Sequence, residues 1–338
     1  MKQRTIAVTG ATTMLGREIL QILSERQFPA TEVHALESTR LVGGEVSFGE
    51  DDLLALRDVE TADFSKIDLC FITPKDPKES ALAHRAAKAG CLVIACESAL
   101  HLDPDVPLIV PEVNPDALTW TGNRRIAANP SAAAIALAMA LKPLHALAGI
   151  QRIVASVFFP VSEESQEAMD ELFSQTRAIF VNDALTKEVF TKQIAFNLAP
   201  QVGAFMEDGL TRAEWEIGAE LKKILDPKIR VAATCVRVPV FIGQAISLTV
   251  EFANPITAVE ARAALKKAKG VSVIDQQHED GFVTPVECVG EDLVFVSRIR
   301  EDISVENGLS LWIVTDNQRK GSALNAVQIG EMLVRKGF

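Results

Sequence analysis

From Thr5 to Ala95 the chain alternates short β-branched runs with stretches of helical period. The runs are Thr5 to Thr9, Val33 to Leu36, Leu69 to Thr73 and Leu92 to Ala95. Between them, Met14 to Leu23 sets Met14, Leu15, Ile19, Leu20, Ile22 and Leu23 along one helical face, and Ser80 to Lys88 reads as a helix closed by Gly90. Such alternation predicts a parallel sheet with crossover helices. The proline-punctuated segment Asp103 to Pro115 is too proline-rich for a central strand and reads as an extended connection. A short run, Arg125 to Ala128, then leads into an alanine-rich helix from about Ser131 to Leu147.

Beyond Gly149 the strand-like runs lengthen: Ile153 to Phe159, Val231 to Val240, Ala245 to Phe252, Leu293 to Ile299 and Leu309 to Val314. Helical stretches separate them, so an antiparallel or mixed sheet covered by helices is predicted. Thr211 with Glu214 forms a capping box ahead of Trp215, Ile217, Leu221 and Ile224. A last helix runs from about Ser322 to Arg335. The fold class is therefore α/β in the first part and α+β in the second.

Composition narrows the functions. The 338 residues, 48% hydrophobic and 23% charged, suffice for about two packed domains and argue against disorder. Lys and Arg number 34 against 45 Asp and Glu, and the formal net charge of -11 repels nucleic-acid phosphates and anionic membranes. No nucleic-acid or membrane partner is expected. The longest apolar run, Ala132 to Leu141, is about half of a bilayer span, and Met1 to Thr5 does not open a signal peptide. A soluble, cytoplasmic protein is expected. The five cysteines are dilute, lie mostly in apolar runs and have no metal-ligand spacing, so they read as reduced and buried, with no metal site.

Gly10-Ala11-Thr12-Thr13-Met14-Leu15-Gly16 lies between the first strand and the first helix, where a turn of this kind presents backbone N–H groups to a pyrophosphate. Thr13 holds the slot of a middle glycine, and its β-branched side chain is expected to crowd a phosphate or to strain a positive φ. The segment therefore reads either as a dinucleotide turn or as a turn that only closes the fold. Glu37, about 20 residues past Gly16, is placed to bind a ribose diol and favour NAD, whereas Ser38 and Arg40 suit a 2′-phosphate and NADP. A third reading makes Glu37 and Arg40 an exposed pair.

Taken with that turn, Pro104 to Asn114, Ile194 to Asn197, Thr234 to Pro239 and Thr315 to Asn325 make the chain resemble aspartate-semialdehyde dehydrogenases over almost its whole length. Glu25 to Pro29 and Lys192 to Asn197 liken it most to the Usg-type branch of that family. The resemblance implies a homodimer of two-domain subunits. Residues 1–130 with 318–338 would form a Rossmann dinucleotide-binding domain and 131–317 a dimerisation domain. The family reduces aspartyl 4-phosphate with NADPH through a cysteine thioester, which requires a thiolate, a proton shuttle, a phosphate cradle and anchors for the amino-acid head group.

Carried over position by position, the family's nucleophile falls on Ser131. Its histidine base falls on Gln244, which cannot take a proton near neutral pH. Its glutamine falls on Phe159, and its phosphate arginine falls on His101. Three positions match: Glu220 for the substrate ammonium, Lys223 for phosphate and Arg237 for the α-carboxylate. By the residues alone, Glu220 and Lys223 read as a solvated pair on one helix face, Lys222 as solvated, and Arg237 as a strand-edge arginine.

Three functions fit: an impaired or inactive family member with a scaffold or regulatory role, a working NADP-dependent dehydrogenase using the Ser131 hydroxyl or an unrecognised thiol, and a purely structural dimer. For the thiol route Cys96, after the fourth run, is the candidate. Weak or absent binding of NADP or NAD is expected, with an amino-acid-like anion as the other ligand and a second copy of the chain as partner.

Overall fold

The computed structural model describes residues 4–73, 79–96, 98–118 and 125–336. They divide into two compact units, residues 1–131 with 322–338, and residues 132–321. Among the described residues no helix is long and apolar enough to cross a membrane.

The first unit holds β1 (Thr5–Thr9), β2 (Glu32–Glu37), β3 (Glu45–Phe48), β4 (Asp52–Asp58), β5 (Leu69–Ile72), β6 (Leu92–Ala95) and β7 (Ile126–Ala128), in the order β3-β4-β2-β1-β5-β6-β7. Every pair is parallel except the β3–β4 hairpin. Every residue of β5 and β6 is buried, as strands covered on both faces must be. Helices α1 (Met14–Glu25), α2 (Glu79–Lys88) and α7 (Asn325–Arg335) belong to this unit, and α1 and α7 bury Ile19, Leu20, Leu23, Val327, Ile329 and Leu333 in one core. The hairpin escaped the sequence pattern because β4 is mostly exposed or half-buried, so its apolar run lacks the burial signature of the central strands. The segment between Asp103 and Pro115 is a connection, as expected: Leu108 makes a lone bridge to Ala128, and the Asn114 side chain ties Val110 N–H and Leu108 C=O at 2.8 and 2.9 Å.

The second unit is a mixed sheet, β11-β12-β13-β10-β8-β9. Its strands are β8 (Ile150–Phe159), β9 (Arg230–Arg237), β10 (Gln244–Phe252), β11 (Val271–Val273), β12 (Val294–Glu301) and β13 (Gly308–Thr315), with helices α3 (Ala132–Ala148), α4 (Gln166–Val181), α5 (Arg212–Ile224) and α6 (Ala258–Leu265). The alanines of α3 shorten its side chains, and Ala132 through Leu141 are all buried where the helix packs on β8, β10, β12 and β13. The approach is close enough to exclude a side chain at Gly321, where a Cβ would stand 2.8 Å from Ala132 Cβ and 3.1 Å from Asp316 O. Residues 319–324 form a π-helical turn before α7, so the final helix begins later than the hydrophobic pattern indicates.

The apolar runs Val231 to Val240 and Ala245 to Phe252 suggest strands that need cover on both faces, and the single chain leaves part of one face open. β9 is an edge strand with Arg230, Ala232 and Thr234 exposed, and it stops at Arg237 just before Pro239. On β10, Ile246, Leu248, Val250 and Phe252 are buried, whereas Ser247 is exposed and Thr249 and Glu251 are half-buried. Ser247 lies opposite Ser156 on β8 and Trp312 on β13. Residues 283–288 cover one end of this polar face, with Trp312 Nε1 donating to Val283 O at 2.9 Å. The rest remains accessible.

The tight α3 packing makes a direct prediction. Gly321→Ala should destabilise the protein by about 1–3 kcal/mol through overpacking, read as a lowered midpoint in chemical denaturation. Ala132→Gly in the same chain should recover part of that loss.

Candidate functional site

The turn from β1 to α1 is closed by its own side chains. Gly10 sits at φ 55°, and a Cβ there would stand 2.4 Å from Thr73 Oγ1. A Cβ on Gly16 would meet Gly10 O at 2.2 Å, so both glycines are required by the close approach. Thr13, expected to be strained, is not: it is the N-cap of α1 at φ -67°, accepting from Gly16 N–H at 3.0 Å and donating to Gly10 O at 2.7 Å. Its hydroxyl consumes a helix N–H that a phosphate would otherwise receive. Glu37 and Arg40 are not an exposed pair either. Glu37 is 1% exposed and accepts from Thr12 N–H at 3.0 Å, Thr12 Oγ1 at 2.6 Å and Ser38 N–H at 3.0 Å, while Ser38 and Arg40 are exposed. The Thr13 N–H is spent on Gly10 O at 2.9 Å. Met14 and Leu15 then supply the first-turn N–H groups with no intrahelical partner, so the turn fits a pyrophosphate with a reduced donor set.

In the second unit, groups far apart in sequence converge on Arg237. Its guanidinium, 4% exposed, donates to Pro160 O and to Glu164 Oε2, each at 2.8 Å. Two rings flank it, Phe159 at 5.8 Å and Phe190 at 6.0 Å from their centroids. Burial lowers the Arg237 pKa, and the neighbouring Glu164 and Glu163 carboxylates oppose that fall. Glu163 keeps an intermediate surface as a residue, yet burial raises the pKa of its carboxyl against the opposing influence of Arg237 and of Asn317, which donates to it at 3.0 Å. Asn317 also accepts from Gly243 N–H at 3.0 Å and donates to Ser162 Oγ at 3.1 Å. Phe190 is held from α4: Glu171 accepts from the N–H groups of Glu188, Val189 and Phe190, and Gln175 Oε1 accepts from Ile194 and Ala195 N–H.

The other expected positions fall as follows. Ser131 is half-buried immediately before α3, and His101 is buried. Gln244 opens β10 fully buried, with neither amide atom hydrogen-bonded among the described residues. Glu220 is also fully buried, which overturns its reading as half of a solvated pair; Lys223 is half-buried and Lys222 exposed. The α5 capping box is present, and its Glu214 accepts from Thr211 N–H at 2.8 Å and Cys235 N–H at 3.0 Å, tying α5 to β9 just before Arg237. Burial raises the pKa of Cys70 and Cys91, the latter to about 12, and raises Cys235 and Cys288 to about 12, which makes all four poor nucleophiles. Cys96 follows β6 and is half-buried. Sequence reasoning gave no role to Glu163, Glu164 and Asn317; two adjacent acids in the segment Pro160 to Ser165 that follows a strand were the available signal.

The family description "Semialdehyde dehydrogenase, dimerisation domain" matches residues 141–320, and "Semialdehyde dehydrogenase, NAD binding domain" matches residues 5–121. The aspartate-semialdehyde dehydrogenase of Rickettsia bellii (strain RML369-C) is 42% identical over 99% of this chain and 98% of its own. The chain belongs to the aspartate-semialdehyde dehydrogenase family. The enzyme of that name from Aquifex aeolicus (strain VF5) is 41% identical, with 98% of each chain covered. Among solved structures, aspartate semialdehyde dehydrogenase II from Vibrio cholerae, complexed with ASA, superposes with a TM-score of 0.96 at 39% identity over all of both chains. A probable aspartate-semialdehyde dehydrogenase from Pseudomonas aeruginosa gives 0.94 at 33%, again over all of both chains. The family thus supplies the α/β first unit with a nucleotide-binding domain and the second with a dimerisation domain.

The raised pKa of Glu163 sets a pH dependence. A carboxyl whose folded pKa lies above its unfolded value favours the fold below the ordinary carboxylate range, and that contribution is lost as pH rises through the folded pKa. Glu163→Gln, which keeps an acceptor for Asn317, should therefore match the wild type in acid and melt higher near neutral pH. Thermal melts across that range check it.

Proposed function

We propose that this chain is a family homologue that binds a nicotinamide dinucleotide weakly and a small carboxylate at Arg237, but has lost the cysteine thioester reaction. One observation carries the reading: Ser131 stands before α3 and Gln244 opens β10, a hydroxyl and an amide at the positions the resemblance assigns to the thiol and the imidazole. A hydroxyl is far less acidic than a thiol, whose reference pKa is about 8.5, and attacks a carbonyl only with a positioned base. Gln244 can donate and accept a hydrogen bond but cannot hold the proton. Phe159 supplies a ring beneath Arg237 rather than a polar group. This combination agrees with placement in the Usg-type branch, in a scaffold or regulatory role.

For the nucleotide, Met14, Leu15 and the Gly10 and Gly16 turn would hold the pyrophosphate, with Ser38 and the exposed Arg40 at the ribose end. The group would supply hydride chemistry when bound. Glu37, committed to Thr12 and Ser38, fastens the turn to β2 and disfavours a 2′-phosphate by its charge, so NAD is the better fit. Glu220 and Lys223 on α5 are the proposed ammonium and phosphate contacts, with Arg237 the carboxylate anchor.

A second reading, an active enzyme with altered chemistry, rests on Glu163. A carboxyl with its pKa raised by burial can hold a proton for general acid catalysis.

Nicotinamide absorbance with purified protein, aspartate semialdehyde, phosphate and either NAD or NADP tests the proposal. No phosphate-dependent turnover is expected. Ser131→Cys alone should add little, and Ser131→Cys with Phe159→Gln, Gln244→His and His101→Arg should give more than any single change. Turnover by the unmodified protein that disappears in Ser131→Ala would refute the proposal; turnover that survives Ser131→Ala and is lost in Glu163→Gln would favour the second reading.

The dimerisation-domain match and the accessible face of Ser156, Ser247 and Thr234 support a homodimer built on that face. Sedimentation at micromolar concentration should show a dimer, and Ser247→Arg, which sets a charge at the centre of the face, should shift it toward monomer.

A further inference from the structure

The partner that Arg237 holds is itself a carboxylate, and it comes from the chain. Glu164 Oε2 lies 2.8 Å from Arg237 Nη2, the separation of a charge-assisted hydrogen bond. The two side chains differ sharply in their surroundings: that of Arg237 is 5% exposed and that of Glu164 is 49% exposed. The cation is held, with Pro160 O accepting from its other terminal nitrogen and the Phe159 and Phe190 rings 5.8 and 6.0 Å from it. The anion is half in solvent, at the end of a short 3-10 turn, Val161–Glu163. Its backbone is anchored by an N–H bond to Val161 O, which leaves the side chain to rotate away without unfolding the turn.

We infer that Glu164 is a displaceable internal carboxylate that occupies the Arg237 site and competes with an incoming small carboxylate for the guanidinium. The inference rests on the proposed reading of Arg237 as a carboxylate anchor and adds its control. The site already selects for this chemistry: a buried guanidinium between two rings admits a planar anion and rejects a neutral group that would leave the charge unpaired. A free carboxylate gains the bond only by displacing Glu164, which is tethered beside the guanidinium and so competes at a high effective concentration. Glu163 differs from Glu164 in accepting from Asn317 Nδ2 at 3.0 Å, a second fastening that Glu164 is not shown to share.

Calorimetry with succinate tests this, with succinamide, which keeps the size and lacks both carboxylates, as the control. Glu164→Ala should bind succinate at least tenfold more tightly than the wild type, Glu164→Gln should gain less because its amide still reaches Arg237, and succinamide should bind neither variant. Arg237→Gln in the Glu164→Ala chain should abolish the gain. Thermal melts verify that each variant is folded, and Glu164→Gln carries the test should Glu164→Ala fail to fold. Equal affinity in wild type and both Glu164 variants, with loss in Arg237→Gln, would overturn the displacement while leaving the carboxylate anchor standing. A gain in Glu164→Ala that persists without Arg237, or no succinate binding by any variant, would overturn both.

Discussion

A guanidinium buried at the end of β9 must find oxygen acceptors among the segments packed around it. A buried guanidinium left without acceptors is strongly unfavourable, so the surroundings of Arg237 are constrained well beyond its own strand. Glu164 and Pro160 come from the segment after β8, Phe190 from the loop after α4, and Glu163 is held through Asn317 from the segment after β13. Glu214 of α5 reaches the same end of β9 through the Cys235 N–H. The end of β9 is thus tied to the segments after β8, α4 and β13 and to α5. The hydrogen-bonded pair Glu171 and Gln175 on α4 then holds the loop that carries Phe190, extending the constraint to a helix with no direct contact to the arginine.

The nucleotide turn follows a similar logic with opposite sign. Backbone N–H groups at the start of α1 need acceptors, and the chain provides them from Thr13, Gly10 and Glu37. In both units donors that could meet an external anion are met, in part, by oxygens of the chain itself. The two cases differ in mobility: Glu37 is 1% exposed and bonded to three groups, whereas half of the Glu164 side chain faces solvent. A buried, multiply bonded acceptor is a structural fastening; a half-exposed one can exchange with a ligand.

The chemistry around these anchors is quiet. The four cysteines buried by the two sheets have thiols pushed above their ordinary range, because apolar surroundings disfavour the thiolate. Gln244, buried with both amide atoms lacking a hydrogen bond among the described residues, is a group able to bond a ligand but not to move a proton. What stands out instead is Glu163, the buried acid that the same burial makes easier to protonate.

The sequence by itself determined the alternating first unit, the glycine turn, the buried alanine helix, the α5 cap and the family, because periodicity, capping and linear motifs are local and survive in one dimension. The family resemblance also set Ser131 and Gln244 at the positions where that family carries its thiol and imidazole, an alignment that needs no coordinates. It misjudged the backbone at Thr13, which caps α1 at φ -67° without a positive φ, because capping depends on a backbone angle that residue type alone does not set. It could not show that Glu220 is buried, that β9 is an open edge, or that Glu164 faces Arg237 across 73 residues of chain. Those facts were decided by the tertiary structure alone. A charged side chain has no periodic signature, and which opposite charge it meets depends on the strand order and loop paths that bring distant segments together.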